Sequence, residues 1–220
     1  MDRSAVSSGD RRSPAKHRAI LRAATEVFLR EGYARASVDA IAAAAGVGKQ
    51  TVYGHFGNKQ RLFQAVVEEA RDATGVTLED VAALLAEPGD PRAVLEVVAE
   101  HLLRAITAPD HAALHRLTIA ELPHHPELQR SWRDDGTAVT EVIAAYLAER
   151  DRQGELSVPD PVRIARQFAT LLGAEGQVRS LRGAEQLTDA QFQEIARETT
   201  DLIIRACRVG DTGSTRRTAR

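Results

Sequence analysis

The stretch "GVGKQTVYGHFGNK", Gly46 to Lys59, brings together residue types suited to gripping a polyanion. Lys49 and Gln50 can donate to base edges, and Gln50 can also pair bidentately with adenine. Thr51, Tyr53 and His55 can donate to phosphate oxygens. Lys59 stands at a helix start whose free N–H groups already favour an anion. Gly54 is the anomaly, because glycine inside a helix costs about 1 kcal/mol relative to alanine. Either the backbone there approaches a partner closely, or a small residue is simply tolerated.

Such side chains act together only if short helices hold them. Ser13-Pro14 reads as the N-cap and first residue of a helix carrying Ile20, Leu21, Ala24, Phe28 and Leu29, with Gly32 at its end. Ser37 starts a second, short helix with Val38, Ile41 and Ala45 as its apolar stripe. Gly46 closes it, in a position where a sharp turn needs a left-handed residue. The Ala42–Ala45 run gives that helix a slim face. A third helix must follow within two or three residues, since Val52 and Phe56 stand at i and i+4. Val47, Val52 and Phe56 then face inward, leaving Lys49, Gln50, Thr51, Tyr53, Gly54 and His55 outward or on the flanks. Two short helices joined by a glycine-containing turn form a helix-turn-helix, whose second helix can enter the DNA major groove. Asn58 caps a fourth helix bearing Leu62, Phe63, Val66 and Val67.

Within residues 16–63 the run "SVDAIAAAAGVGKQTVYGHFGNKQRLF" resembles the DNA-binding signature of the TetR family of transcriptional repressors. There a helix-turn-helix is followed by Tyr-x-His-Phe-x-x-Lys. The resemblance implies that Lys49 and Gln50 face bases, while Ser37, Thr51, Tyr53, His55 and Lys59 bind phosphate. Gly48 departs from the serine frequent in the family, which removes a side-chain cap from the recognition helix; glycine is itself a fair N-cap. Gly48 and Gly54 complete the expected DNA-binding set.

The rest of the chain scans as helices near 77–86, 91–107, 110–122, 126–150, 160–182 and 188–207, separated by breaks containing Pro, Gly or Asp. No stretch shows sustained period-two alternation, so the fold is all-α. The segment "RLTIAELPHHPELQRSWRDDG" resembles the C-terminal domain of the AefR-like branch of the same family. That resemblance implies a regulatory body with a small-molecule pocket and release from DNA when the effector binds. The candidate pocket residues are His101, Leu102, His115, Leu117, Ile119, Trp132, Tyr146 and Phe168, which include most of the body's aromatic and imidazole groups. The last two segments carry apolar stripes that include Phe168, Leu172, Phe192, Ile195, Thr199, Leu202 and Ile203 at helical spacing. Two helices per subunit could form a four-helix dimer seam; the alternative is that they cover the monomer core. A twofold dimer doubles the contacts of one short recognition helix and reads a palindrome.

The expected organisation is therefore a disordered arm over 1–13, a three-helix DNA-binding domain over 14–57, a larger helical ligand-binding and dimerisation domain over 58–208, and a disordered tail over 209–220. The expected partners are an operator duplex, a small-molecule effector and a second copy of the chain. The charge distribution agrees, since residues 1–62 hold 11 Lys/Arg against 5 Asp/Glu while the remainder holds 18 against 26. No run of 18 apolar residues exists and the N-terminus lacks an apolar signal core, so no membrane association is expected and the expected location is cytoplasmic. His111 and His115 have a metal-chelating spacing, but no Cys or carboxylate cluster completes a site, so neither metal nor cofactor is expected. The single cysteine, Cys207, reads as either a redox-sensitive thiol or an inert buried one. A competing reading, a helical binding protein or enzyme with a vestigial head, finds no phosphate loop, nucleophile–base set or paired carboxylate to support it.

Overall fold

The computed structural model describes residues 13–125 and 129–208, and for 129–136 the backbone alone. The arm, the tail and the Trp132 side chain named above lie outside the described residues, apart from Ser13. The order is α1 (Pro14–Arg35), α2 (Val38–Ala44), α3 (Lys49–Phe56), α4 (Lys59–Asp72), α5 (Leu78–Ala86), α6 (Pro91–Thr107), α7 (Pro109–Glu121), α8 (Gln129–Arg152), α9 (Pro161–Arg179) and α10 (Asp189–Ala206). No strand occurs among the described residues. Local chemistry sets most starts. Ser37, Asn58, Thr77 and Thr188 each accept a backbone N–H at their helix's third position, and Thr77 and Thr188 do so in reciprocal capping boxes. Ser13 stands at the N-cap of α1 but makes no side-chain cap, and Pro14 at the first helical position supplies the start.

The chain forms two compact units. The first comprises 13–76, 105–125 and 180–186 of the described residues. The compact unit that carries the helix-turn-helix thus reaches beyond residues 14–57, because α4 and α7 pack on α1. Its core includes Ile20, Phe28, Ile41, Leu62, Phe63 and Leu114, each essentially without exposed surface. Burying side chains of this size stabilises by about 1.5–3 kcal/mol each. Phe63 sits edge-on to both Phe28 and Tyr33 at 5.0 Å between ring centres.

α1 does not stop at Gly32. Gly32 takes φ 80°, ψ 161°, and helical structure resumes to Arg35. The carboxylate of Glu121, on α7, accepts the Ala34 N–H at 3.3 Å just past this kink. Five residues earlier on α7, Arg116 donates to the Arg182 carbonyl. Leu181, Arg182 and Gly183 are three successive residues with φ of 48°, 59° and 79°. A Cβ on Gly183 would lie 2.3 Å from the Ala112 Cβ, so the backbone of this turn rests directly on α7. The "RLTIAE" run thus supplies two ties, one from Glu121 at the end of α7 to α1 and one from Arg116 at its middle to the 180–186 turn.

The second unit comprises 77–104, 136–179 and 187–208. α6 and α10 run antiparallel, as their ion pairs show. Arg92 meets Asp201 at 3.2 Å, while Arg104 meets Asp189 at 2.8 Å and lies over the Phe192 ring. Arg179 at the end of α9 reaches Glu194 and Glu198 on α10. Such exposed pairs contribute little individually. The cohesion comes from the apolar stripes, which bury Ile164, Phe168 and Leu172 against Ile195 and Ile203.

His115 records how tightly the 180–186 turn is packed. Burial, then the neighbouring His111, Arg182 and Arg116, push its imidazole down to a pKa of about 4. The unfolded chain therefore takes up a proton that the folded chain refuses, across the window from about pH 6.5 to about 4. Stability from this source is intact above pH 6.5 and falls as pH drops through that window. Melting temperatures measured from pH 7 to pH 4 should decline less steeply in His115→Gln than in the parent; equal slopes would contradict the assignment.

Candidate nucleic-acid interface

The helix-turn-helix is built on α2, the turn at 45–48 and α3. At the turn, Gly46 has φ 65°, and the N–H of Val47 bonds back to the Ala42 carbonyl at 3.0 Å. This left-handed closure is open to glycine at no steric cost. Of the alanine run, Ala42 and Ala45 face the core while Ala43 and Ala44 are exposed. α3 has eight residues, too few to persist alone. Two side chains hold it, Val52 at 2% exposure and Phe56 at 7%, with Val47 packed beside them. Phe56 is sandwiched further by the His17 ring of α1, stacked at 4.7 Å.

With Val52 and Phe56 turned inward, the opposite face of α3 is presented to solvent. Lys49, Gln50, Tyr53 and Gly54 are exposed, as are Gly48 and Ser37, while Thr51 and His55 are half-buried. The structure thus gathers on one compact unit the residues expected to meet DNA. Ser37 has a structural duty as well, since its hydroxyl oxygen accepts the Ala40 N–H at 3.0 Å and leaves its O–H free to donate. Gly48 adopts ordinary extended N-cap geometry and supplies no side-chain cap to α3.

Two of the expected contacts are placed differently from the simple reading. Lys49 is paired with Asp39 at 2.8 Å, and that carboxylate holds its pKa above the ordinary lysine value. A base contact by Lys49 requires exchanging this exposed partner. Lys59 is committed elsewhere altogether. Its ammonium donates to the carbonyls of Tyr33 (2.9 Å), Ala34 (3.3 Å) and Ala36 (3.3 Å), and lies 4.6 Å from the Tyr33 ring centre. Three donors meet three acceptors, which uses the whole capacity of an ammonium group. The cause is electrostatic: a cation is disfavoured at the start of α4 and favoured at the C-terminal end of α1. With Glu121 on the opposite side of the same segment, Lys59 fixes the 33–36 connection from which α2 begins. A phosphate contact by this side chain requires exchanging these carbonyl partners.

Gly54 resolves further. A Cβ built there meets nothing within 4 Å, so no neighbour among the described residues requires glycine. Gly54 also lines an open concavity of about 410 Å³, together with Pro14, His17, Arg18 and His55.

In the body the expected residues scatter. His115 and Ile119 belong to the first unit; His101, Tyr146 and Phe168 belong to the second. His101 is exposed and bonds the Val97 carbonyl, Ile119 is exposed, and Phe168 is fully buried. Tyr146 is buried, with its phenol pushed up by that burial and the Arg150 guanidinium 4.9 Å from its ring centre. Sequence reasoning missed a polar set in this unit: Tyr146 Oη, Arg150 Nε, Gln177 Oε1 and Thr200 Oγ1 are buried without a well-formed hydrogen bond among the described residues. Nothing in a linear pattern distinguishes such atoms from satisfied ones. Of the proposed dimer stripe, Phe168, Leu172, Phe192, Ile195, Thr199 and Ile203 are buried inside the single chain, whereas Leu202 is 58% exposed. Side chains already buried add no new area to a dimer contact. The open faces of α9 and α10 carry Val162, Leu171, Val178 and Leu202 instead. Cys207 is buried, and burial raises its thiol pKa, which is the environment of an inert thiol. Among the described residues no group of three or more His, Cys, Asp or Glu is arranged to hold a metal.

Residues 20–66 match the family model described as bacterial regulatory proteins, tetR family, and residues 93–208 match the AefR-like transcriptional repressor C-terminal domain. The chain belongs to the TetR family. Similar curated proteins include the HTH-type transcriptional regulator UidR of Escherichia coli strain K12, 26% identical over 186 residues that cover 82% of this chain and 84% of UidR. The HTH-type transcriptional repressor SCO4008 of Streptomyces coelicolor is 35% identical over 128 residues, 54% of this chain and 60% of that protein. Among solved structures, a TetR-family regulator from Mesorhizobium loti aligns with a TM-score of 0.75 and 27% identity, covering 90% of this chain and all of that one. The flavonoid-responsive regulator FrrA aligns with a TM-score of 0.71 and 25% identity, covering 89% and 98%. The chain is accordingly a DNA-binding transcriptional regulator of a family whose members are not enzymes. TetR regulators bind DNA and usually act as dimers with small-molecule ligands. No helix among the described residues is long and apolar enough to cross a membrane.

Two outcomes follow from the geometry of α3 and its support. Lys59→Ala should destabilise the fold by about 1–3 kcal/mol, read as a lower melting temperature, because three carbonyls lose their charged donor; an unchanged melting temperature would return Lys59 to a purely DNA-facing role. Gly54→Ala should raise stability by about 1 kcal/mol while weakening DNA binding. Equal or tighter DNA binding in that variant would show that α3's backbone does not approach the duplex closely.

Proposed function

We propose that the chain is a homodimeric repressor that binds a palindromic operator and releases it when a small-molecule effector occupies the body. The observation that carries this reading is the exposed face of α3, where Gln50, Tyr53 and Gly54 stand together on a helix pinned by Val52 and Phe56. In this reading Lys49 and Gln50 address base edges, and Ser37, Thr51, Tyr53 and His55 address phosphates. Two such helices in a twofold dimer would enter successive major grooves about 34–36 Å apart. The open apolar residues of α9 and α10, Leu171, Val178 and Leu202 among them, supply surface for the dimer contact. For the effector site we favour the second unit, where Gln177 Oε1 and Thr200 Oγ1 lack hydrogen-bond partners among the described residues. Buried polar groups are almost always hydrogen-bonded, so these are natural anchors for an effector that carries polar groups. Similarity to a flavonoid-responsive regulator supports a small organic effector of that general kind. Release then requires that the effector prefer, by a few kcal/mol, a conformer whose recognition helices no longer match the half-sites.

The test is a gel-shift with DNA from upstream of the chain's own coding region, with genomic selection as a second source of sites. The shift should weaken steeply as salt rises, because each phosphate contact releases counterions. Tyr53→Phe should weaken it about three- to tenfold with an unchanged melting temperature. Absence of binding to any selected palindrome would overturn the reading.

A further inference from the structure

The concavity beside α3 has an owner on a helix that the helix-turn-helix does not include. Its floor is Gly54 of α3, which contributes no side chain, and one wall is His55. The other wall is the first turns of α1, with Pro14, His17 and Arg18. The His17 and His55 rings contact each other at 5.6 Å between centres, and His17 is held by its stack on Phe56. Arg18 is exposed and makes no hydrogen bond or ion pair among the described residues. That sets it apart from the two lysines expected to provide charge on this face. Lys49 is paired with Asp39, and Lys59 is turned away onto three backbone carbonyls.

We propose that Arg18 binds a DNA phosphodiester in the notch lined by His17, His55 and Gly54, so that α1 contributes a backbone contact to the DNA footprint. The proposal rests on the operator-binding reading above. Three features favour a DNA phosphate as the occupant. The notch is continuous with the exposed face of the recognition helix, so a duplex lying on that face passes over it. Its exposed cation is the Arg18 guanidinium, and the planar fork of arginine matches two phosphate oxygens at once. The open space above Gly54 lets the sugar–phosphate chain approach the α3 backbone, which a side chain at that position would prevent. The notch thus presents a cation on this face where Lys49 and Lys59 are both engaged within the unit.

The experiment compares full-length parent, Arg18→Ala and Arg22→Ala, the last altering an exposed arginine one turn along α1 outside the notch. Affinity is measured on a selected operator and on an unrelated duplex of the same length, each across a salt series, with melting temperature as the check on folding. Arg18→Ala should weaken both duplexes about tenfold per subunit and reduce the salt slope by about one per subunit, while Arg22→Ala matches the parent. A scan placing single uncharged methylphosphonate linkages along the operator should find a position that weakens the parent but not Arg18→Ala. If the parent binds and Arg18→Ala equals Arg22→Ala in affinity and slope, the notch is overturned while operator binding stands. If the parent binds no DNA, both readings fall. Inorganic phosphate alone, followed by the NMR shifts of His17 and His55, separates a DNA site from a free-anion site. No saturable shift is expected, and saturable millimolar binding lost in Arg18→Ala would overturn the assignment to DNA.

Discussion

An eight-residue helix cannot hold its own shape in water, so every DNA contact of α3 depends on the burial of Val52 and Phe56. These two side chains set the rotation of α3 about its axis. Whatever stands at 50, 53 and 54 must then face outward, because helical periodicity leaves it nowhere else to go. The rest of the first unit steadies this arrangement. His17 covers Phe56 from α1, and the 33–36 segment that leads into α2 is held between the Lys59 ammonium and the Glu121 carboxylate. Opposite charges on α4 and α7 thus converge on the same short connection, one binding its carbonyls and the other an N–H.

This pattern explains why α7 groups with the helix-turn-helix. Its Glu121 reaches α1, and its Arg116 and Ala112 meet the 180–186 turn. That turn joins α9 to α10 along the chain, and three consecutive positive φ angles, two of them at non-glycine residues, show that it is held by its surroundings rather than by preference. Any effector that alters α9 or α10 acts on elements covalently continuous with this turn. The motif that resembles AefR-like proteins therefore has a concrete structural meaning here, as a pair of ties from the C-terminal half of one helix.

Much of this was legible in the sequence because it is written in local chemistry. Ser37, Asn58 and Thr188 cap where short polar side chains precede apolar stripes, and Gly46 turns where it must. Helices expected at 91–107 and 188–207 appear at Pro91–Thr107 and Asp189–Ala206. What was not legible depends on long-range pairing. The carbonyls that capture Lys59 lie 23 to 26 residues away, and no spacing rule foretells them. The stripe from Phe168 to Ile203 has the same period whether it faces its own chain or another, so periodicity could not separate core from dimer seam. Arg18 escaped notice for the opposite reason: its motif neighbours are on α3, and only the fold brings α1 beside them.

The central claim is that α3, pinned by Val52 and Phe56, lays its Gln50–Tyr53–Gly54 face directly against DNA. A crystal or cryo-electron-microscopy structure of the protein on its selected operator tests it most directly. The account predicts α3 in the major groove, the Gly54 backbone in van der Waals contact with the duplex, and Lys59 still on the carbonyls of Tyr33, Ala34 and Ala36. A complex in which α3 stands clear of the groove, or in which Lys59 has left α1 to bind phosphate, would contradict it.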